Sequence, residues 1–325
     1  MITVQKAGLL TSVMDLGRTG YQRLGVVVGG ALDRFSARVA NVLVGNHENA
    51  ALLELAQRGP ELHFAADTLV AWCGADFEPR IGTSPFPRDR VVQIRAGETI
   101  RFGAAKSGLR AWLAVAGGLD VPLILGSRST YRRAAFGGWQ GRPLKAGDNL
   151  PVGPRSEWAE RRLHSAQRIS SWSVRPETLG RQAAVGTVRA MPGPEWEWFS
   201  HDAHRDFFTA TWTITKEADR MGVQLAGPAL KLAEERDMIS EGVNEGVVQV
   251  ANGGQPIVLL ASRQTVGGYP RIGAVASVDL GRMAQLVPGA KLRFEPVTLA
   301  DAHQLYLARE HDFARVRTGL ARLSD

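Results

Sequence analysis

Cysteine is almost absent, with Cys73 the only one among 325 residues. A lone thiol makes no intramolecular disulfide and no cysteine zinc site. Long apolar runs are also missing, and nothing approaches the roughly 20 residues of a membrane span. The opening stretch MITVQKAGLLTSVMDLG carries no apolar core of signal-peptide length. The expectation is a cytoplasmic chain with no membrane partner. Lysine is scarce too: Lys6, Lys106, Lys145, Lys216, Lys231 and Lys291 are the only six of 39 basic residues, which leaves 33 arginines. The net charge of +7 would suit a nucleic-acid partner. The arginines are interleaved with acids, however, as in Glu157 to Arg162 and Glu234 to Asp237. No helix-turn-helix, aromatic RNA-binding pair or finger spacing accompanies them, so no nucleic-acid partner is expected.

Catalytic signatures are missing as well. There is no phosphate-binding Gly-x4-Gly-Lys loop, dinucleotide fingerprint, Gly-x-Ser-x-Gly elbow or His-Glu-x-x-His. The chain shows no recognisable way to hold ATP by itself. His201 and His204 are the one close histidine pair, with Asp202 or Asp206 as a third donor. That segment reads more simply as a solvated polar stretch, and no metal is expected.

What is present is β-rich. Short runs of strand type lie between Gly, Pro and Asp punctuation: Thr68 to Trp72, Arg90 to Ile94, Thr99 to Phe102, Arg110 to Ala116, Val247 to Val250, Ile257 to Leu260 and Lys291 to Phe294. Helical spacing is rarer. Phe35, Val39, Val42 and Leu43 share a face behind Asp33 as N-cap, and Thr298 can cap a second helix carrying Leu299, Ala302, Leu305 and Tyr306. Strands do not alternate with helices, which argues against a doubly wound nucleotide fold. Three short matches recur in the same order. Gly97 to Phe102 returns as Gly289 to Phe294, Asp33-Arg34 as Asp219-Arg220, and Leu53 to Leu55 as Val248 to Val250. The implied organisation is a duplication: a first domain over 1–155, a polar linker or peripheral segment over 156–182, and a second domain over 183–325.

Gly-flanked polar clusters are dense, and turn N–H groups beside arginine are what an oxyanion or carboxylate requires. The segments Gly8 to Asn46, Ala114 to Asp148, Ala218 to Pro228 and Ser240 to Phe294 carry these clusters. In that order they resemble the biotin-dependent carboxyltransferase family, also called allophanate hydrolase subunit 2, over nearly the whole chain. The family includes the C component of 5-oxoprolinase and the antagonist of the kinase-A inhibitor.

The resemblance implies a mainly β chain with a few helices, built as two cyclophilin-like β-barrel domains. It implies a partner homologous to the B component of 5-oxoprolinase (allophanate hydrolase subunit 1 type) and a second partner homologous to its A component. Together they would open 5-oxoproline to glutamate at the expense of ATP, at a shared or partner site. The alternative activity is carboxyl transfer from carboxybiotin to a urea-like substrate, with biotin on another chain. A third reading is a non-catalytic regulator that binds a kinase-A inhibitor homologue. On this resemblance Asp33 and Asp219 are the expected orienting or general-base carboxylates. Arg18, Arg128 and Arg220 are the expected anion binders. Ser240, Glu241, Thr265, Gly267, Gly268 and Tyr269 are expected to line the substrate pocket. The chain departs from the family pattern at Ser262, Val266 and Ala218, which removes a carboxylate and two hydroxyls near that pocket.

Overall fold

The computed structural model describes residues 1–175 and 186–322. It divides into two compact units. One is drawn from Met1–Arg18, Asp33–Arg181 and Asp312–Asp325, the other from Thr19–Leu32 and Gln182–His311. The fold class is the expected one, mainly β with a few helices. No helix is long and apolar enough to cross a membrane among the described residues.

In the first unit two sheets enclose one core. The first sheet orders its strands Asn149–Leu150, Ile2–Lys6, Glu61–Phe64, Thr99–Arg101, Arg80–Ile81 and Ser84–Pro85. The second runs Leu10–Met14, Leu52–Ala56, Ser107–Val115, Thr68–Asp76 and Val92–Ile94. Period-two alternation supplies the core side, with Ile2 and Val4 from one strand and Leu53 and Leu55 from another. Trp72, Phe77, Phe86 and Phe102 meet edge to face in its centre, with ring centroids 5.8–6.4 Å apart. Strand Thr68–Asp76 is apolar almost throughout because both its faces are covered. Helix Arg34–Leu43 packs on that strand and on Ser107–Val115, turning Phe35, Val39 and Leu43 inward.

The segment expected as a linker is partly structured. Ser156 caps helix Glu157–Leu163, its side chain accepting from the Ala159 N–H. Beyond it, Gln93 donates its N–H to Arg168 O, and Ser170 donates to Val91 O. Residues 168–170 therefore extend the edge of the second sheet at Val92–Ile94. Residues 176–182 of that segment lie outside the described residues.

Asp148 ties the turn that leads into the edge strand Asn149–Leu150. Its two oxygens accept from both terminal nitrogens of Arg142 at 2.8 Å, and Lys145 N–H donates at 2.7 Å. The Arg142 hydrogen bonds, outweighing desolvation, draw the Asp148 carboxyl down to about 2. A depressed carboxyl stabilises the fold fully above the ordinary range near pH 4 and loses that contribution as pH falls toward 2. We expect the acid limb of the stability profile to flatten by about 1–2 kcal/mol in Arg142→Met. Urea denaturation at pH 2.5 to 6 checks this, and equal slopes in both proteins would contradict it.

In the second unit seven strands close a barrel. Their order is Thr187–Pro192, Arg271–Val275, Val247–Val250, Pro256–Leu259, Gly222–Ala226, Trp212–Ile214 and Lys291–Pro296. The closing pair, Thr187–Pro192 with Lys291–Pro296, is parallel, and the other pairs are antiparallel. Trp212, Phe207, Phe294, Ile272 and Val258 fill the interior, where Phe207 stacks on Phe294 with centroids 4.5 Å apart.

The repeat at Gly97 and Gly289 is reproduced bond for bond. Both glycines sit at positive φ, 84° and 86°. Gly97 donates to Phe64 O while Phe64 donates to Glu98 O; Gly289 donates to Ile214 O while Ile214 donates to Ala290 O. A left-handed residue without strain is what such a turn requires of glycine. The repeat at Asp33 and Asp219 diverges. Asp33 starts a helix, whereas Asp219 forms a turn into strand Gly222–Ala226.

Candidate functional site

Within the first unit, Asp33 is a helix N-cap. Its Oδ1 accepts the Ser36 N–H at 3.0 Å, and its Oδ2 accepts the Ser36 hydroxyl at 2.6 Å. Both oxygens are thereby engaged, so the geometry gives this side chain a capping role.

Arg18, expected as an anion binder, is only 1% exposed. Its Nε donates to Ile124 O and one terminal nitrogen to Ser129 O, and its guanidinium lies 4.8 Å from the Phe136 ring centroid. Nη1 is buried and has no hydrogen-bond partner among the described residues. Burial draws the Arg18 pKa below its ordinary value, with Asp15 acting against that shift. Arg18, expected to bind an anion, is engaged here in holding the loop carbonyls of its own unit.

The organising group there is Asp15, which sequence reasoning passed over in favour of Arg18. Its oxygens accept from Gly17 N–H, Arg128 N–H, and the hydroxyls of Ser127 and Ser129 at 2.5–2.9 Å. Arg128 is held by that backbone bond and by Nε donating to Val121 O. Its outer nitrogen lies 3.8 Å from the exposed Asp120. The Gly137-Gly138 pair serves close approach, since a Cβ on Gly138 would fall 1.9 Å from Thr130 Oγ1. A separate groove of about 550 Å³ in this unit, bordered by Lys6, Arg58, Glu61 and Phe102, contains none of the expected site residues.

The second unit brings the remaining candidates together. Strands Glu241–Gly242 and Val266–Gly267 pair as a short ribbon, Glu241 opposite Gly267 and Gly242 opposite Val266. Ser240 and Gly268 are adjacent at one end, where a Cβ on Gly268 would lie 2.9 Å from Ser240 Oγ. Thr265 and Val243 close the other end, the Val243 N–H donating to Thr265 O at 3.2 Å. Tyr269 follows the ribbon with its ring partly exposed, and its carbonyl accepts from the Gln249 amide. Gly267 lies close under the Gln249 amide, where a Cβ would come within 2.5 Å of Nε2 and push that side chain aside.

Glu241 is not free to act as an isolated carboxylate. Arg271 donates to it at 3.0 Å while also clamping the buried Glu195 with Nε and Nη2 at 2.7 and 2.5 Å. The Glu195 hydrogen bonds raise the Arg271 pKa above its ordinary value.

Asp219 differs from Asp33. Its Oδ1 accepts from the N–H groups of Met221 and Gly222, and among the described residues no hydrogen bond engages its exposed Oδ2. Arg220 donates a terminal N–H to Gly30 O. Its carbonyl accepts from Ser262 N–H at 3.0 Å, which places the departure at Ser262 against this turn. Gln22, Gln249, Arg263, Glu195 and Arg271 all support the ribbon. Apart from Arg263, which stands beside the departure at Ser262, none stands out in the sequence, because each is an ordinary polar residue whose partners lie far along the chain.

His204 donates its Nε2–H to Trp196 O and stacks on the Trp196 ring at 4.0 Å. Among the described residues no group of three or more His, Cys, Asp or Glu side chains is placed to hold a metal ion.

The model of the carboxyltransferase domain, subdomain A and B, matches residues 24–296. The chain is 36% identical over 304 residues to the C component of the 5-oxoprolinase of Escherichia coli (strain K12), covering 93% of each chain. It is 30% identical over 315 residues to the urea amidolyase of Lachancea kluyveri, covering 93% of this chain but 17% of that one. The crystal structure of the K. lactis urea amidolyase superposes with a TM-score of 0.87 at 28% identity, covering 97% of this chain and 20% of that one. The chain thus spans about a fifth of the urea amidolyases it matches, and nearly all of the free-standing 5-oxoprolinase component. A family match across both units, with the ribbon, the Asp219 turn and the barrel inside the matched span, leaves one conclusion: the chain belongs to the carboxyltransferase domain, subdomain A and B, family.

Proposed function

We propose that this chain is the C component of a 5-oxoprolinase-type enzyme, acting in the cytoplasm with homologues of the B component and the A component. The assembly opens 5-oxoproline to glutamate with hydrolysis of ATP. The observation that carries this reading is the end-to-end match to a free-standing C component, 93% of both chains.

A lactam carbonyl is unreactive until its oxygen becomes a leaving group. Opening it needs donors around that oxygen and a carboxylate to orient or activate water. In the second unit Asp219 offers an oxygen with no partner among the described residues, and the ribbon offers Ser240, Thr265 and the Tyr269 hydroxyl. The sequence has no phosphate-binding loop, and among the described residues no group of three or more His, Cys, Asp or Glu side chains is placed to hold a metal ion. ATP would bind at a shared or partner site, as the family resemblance implies, and no step here is routed through it.

Carboxyl transfer to a urea-like substrate is the second reading, supported by the TM-score of 0.87 to a urea amidolyase. It needs a biotinylated carrier on another chain.

The test is reconstitution with homologues of the A and B components, following glutamate and ADP release from 5-oxoproline and ATP while omitting one component at a time. Glutamate only from the full set supports the proposal. An intact complex that makes none favours carboxyl transfer or pure regulation of the partner. In the active complex, Asp219→Asn is expected to lower turnover by about 100-fold or more with assembly intact. Asp33→Asn preserves a good cap and is expected to leave turnover within about threefold of wild type. A large loss in that variant at unchanged stability would return Asp33 to the catalytic set.

A further inference from the structure

We propose that Gln22 is a positioning residue that fastens the Glu241–Gly242 and Val266–Gly267 ribbon in its working place. The inference deepens the proposed function, and its activity arm rests on that reading.

Gln22 opens a short 3-10 turn, Gln22–Leu24, in the segment Thr19–Leu32. That segment belongs to the second unit although its neighbours on both sides in sequence belong to the first. Gln22 Nε2 donates to Val243 O at 2.9 Å and to Thr265 O at 3.3 Å. Its Oε1 faces the buried Arg263, whose Nη2 lies 3.4 Å away and whose Nε donates to the same Val243 O at 3.0 Å. Val243 and Thr265 directly follow and precede the two ribbon strands. One primary amide therefore bridges the open end of both strands.

The chemistry selects glutamine. Two donors must reach two carbonyls on different strands while an acceptor faces a guanidinium. Glutamate would set a carboxylate against both carbonyls, and lysine would set a cation against Arg263. A two-stranded ribbon is marginal by itself in water, so its anchors decide where Ser240, Thr265 and Tyr269 stand. At the opposite end the anchor is the Glu241–Arg271 pair. Gly29 N–H donating to Ala261 O and Arg220 donating to Gly30 O hold the remainder of the segment. The segment therefore stays attached when Gln22 alone is changed.

The experiment uses the full chain as Gln22→Leu and Gln22→Glu, first alone and then in the reconstituted complex. Hydrogen exchange of the Val243 amide, the ribbon's closing donor, is expected to accelerate roughly tenfold or more in both variants. Barrel amides at Val248 and Val258 should be unchanged. In the complex kcat/KM for 5-oxoproline is expected to fall roughly 10- to 100-fold while the complex still forms in full. Wild-type exchange at Val243 in both variants would overturn the clamp. Accelerated exchange with unaltered kcat and KM would overturn the positioning role. If the wild-type complex makes no glutamate, the reaction reading fails, and the exchange arm alone still decides the clamp. Should Gln22→Leu not fold, Gln22→Glu keeps the size and the acceptor and carries the same two readouts.

Discussion

Asp15→Ala is expected to destabilise the first unit by about 3–5 kcal/mol. The carboxylate is 4% exposed. Four donors converge on it: the backbone N–H groups of Gly17 and Arg128 and the hydroxyls of Ser127 and Ser129. Alanine leaves these groups in a site that water does not reach, and each buried donor without a partner costs about 1–3 kcal/mol. It also leaves the buried Arg18 guanidinium without its nearby opposite charge. Ser127→Ala removes a single donor and should cost only about 1 kcal/mol, which makes it the control. The two are compared by urea denaturation followed by tryptophan fluorescence, and by exchange in residues 124–130. Asp15→Ala within about 1 kcal/mol of Ser127→Ala would mean that the convergence carries no more than one bond.

Asp15 also shows where sequence reading stopped. Its serine donors lie 112 and 114 positions away, so no local pattern announces them. Arg18 looked like a substrate residue because an arginine in a Gly-flanked turn usually meets solvent or an anion; only packing shows it closed in. Local devices were legible. Asp33 does cap a helix, and Thr298 caps another, accepting the Asp301 N–H while its hydroxyl donates to Asp301. The glycine turns at 97 and 289 were legible as a repeat because a turn at positive φ restricts the residue type. The Asp33 and Asp219 match was misleading in one respect. Both carboxylates take the N–H three residues on, yet a helix follows one and a strand the other. Barrel closure through a parallel pair, and the allocation of Thr19–Leu32 to the second unit, leave no periodic trace. Residues such as Gln22 and Arg263 acquire meaning only after that allocation is known.

Asp279→Leu should produce a loss of similar size in the second unit, about 3–4 kcal/mol, and the double variant with Arg189→Met identifies its source. Asp279 is fully buried in the short turn Ser277–Asp279. It receives Arg189 N–H and Nε at 2.8 Å on one oxygen and Arg189 Nη2 at 2.7 Å on the other. Arg282 stands 3.4 Å away. Burial alone would raise this carboxyl, but the Arg189 hydrogen bonds outweigh it and hold the pKa below the ordinary range. Its stabilising contribution is therefore complete above pH 4 and declines as acid protonates the folded state. Arg189 lies on the barrel strand that closes in parallel with Lys291–Pro296, so the pair fastens the turn to the seam. Removing one partner strands a charge, whereas removing both restores a neutral interior. We therefore expect Arg189→Met with Asp279→Leu to cost less than either single change, by about 1–2 kcal/mol. Urea denaturation at pH 7 across the double-mutant cycle measures this. A double variant as unstable as the sum of the singles would show that the backbone N–H bond of Arg189, and not the ion pair, is what holds the seam.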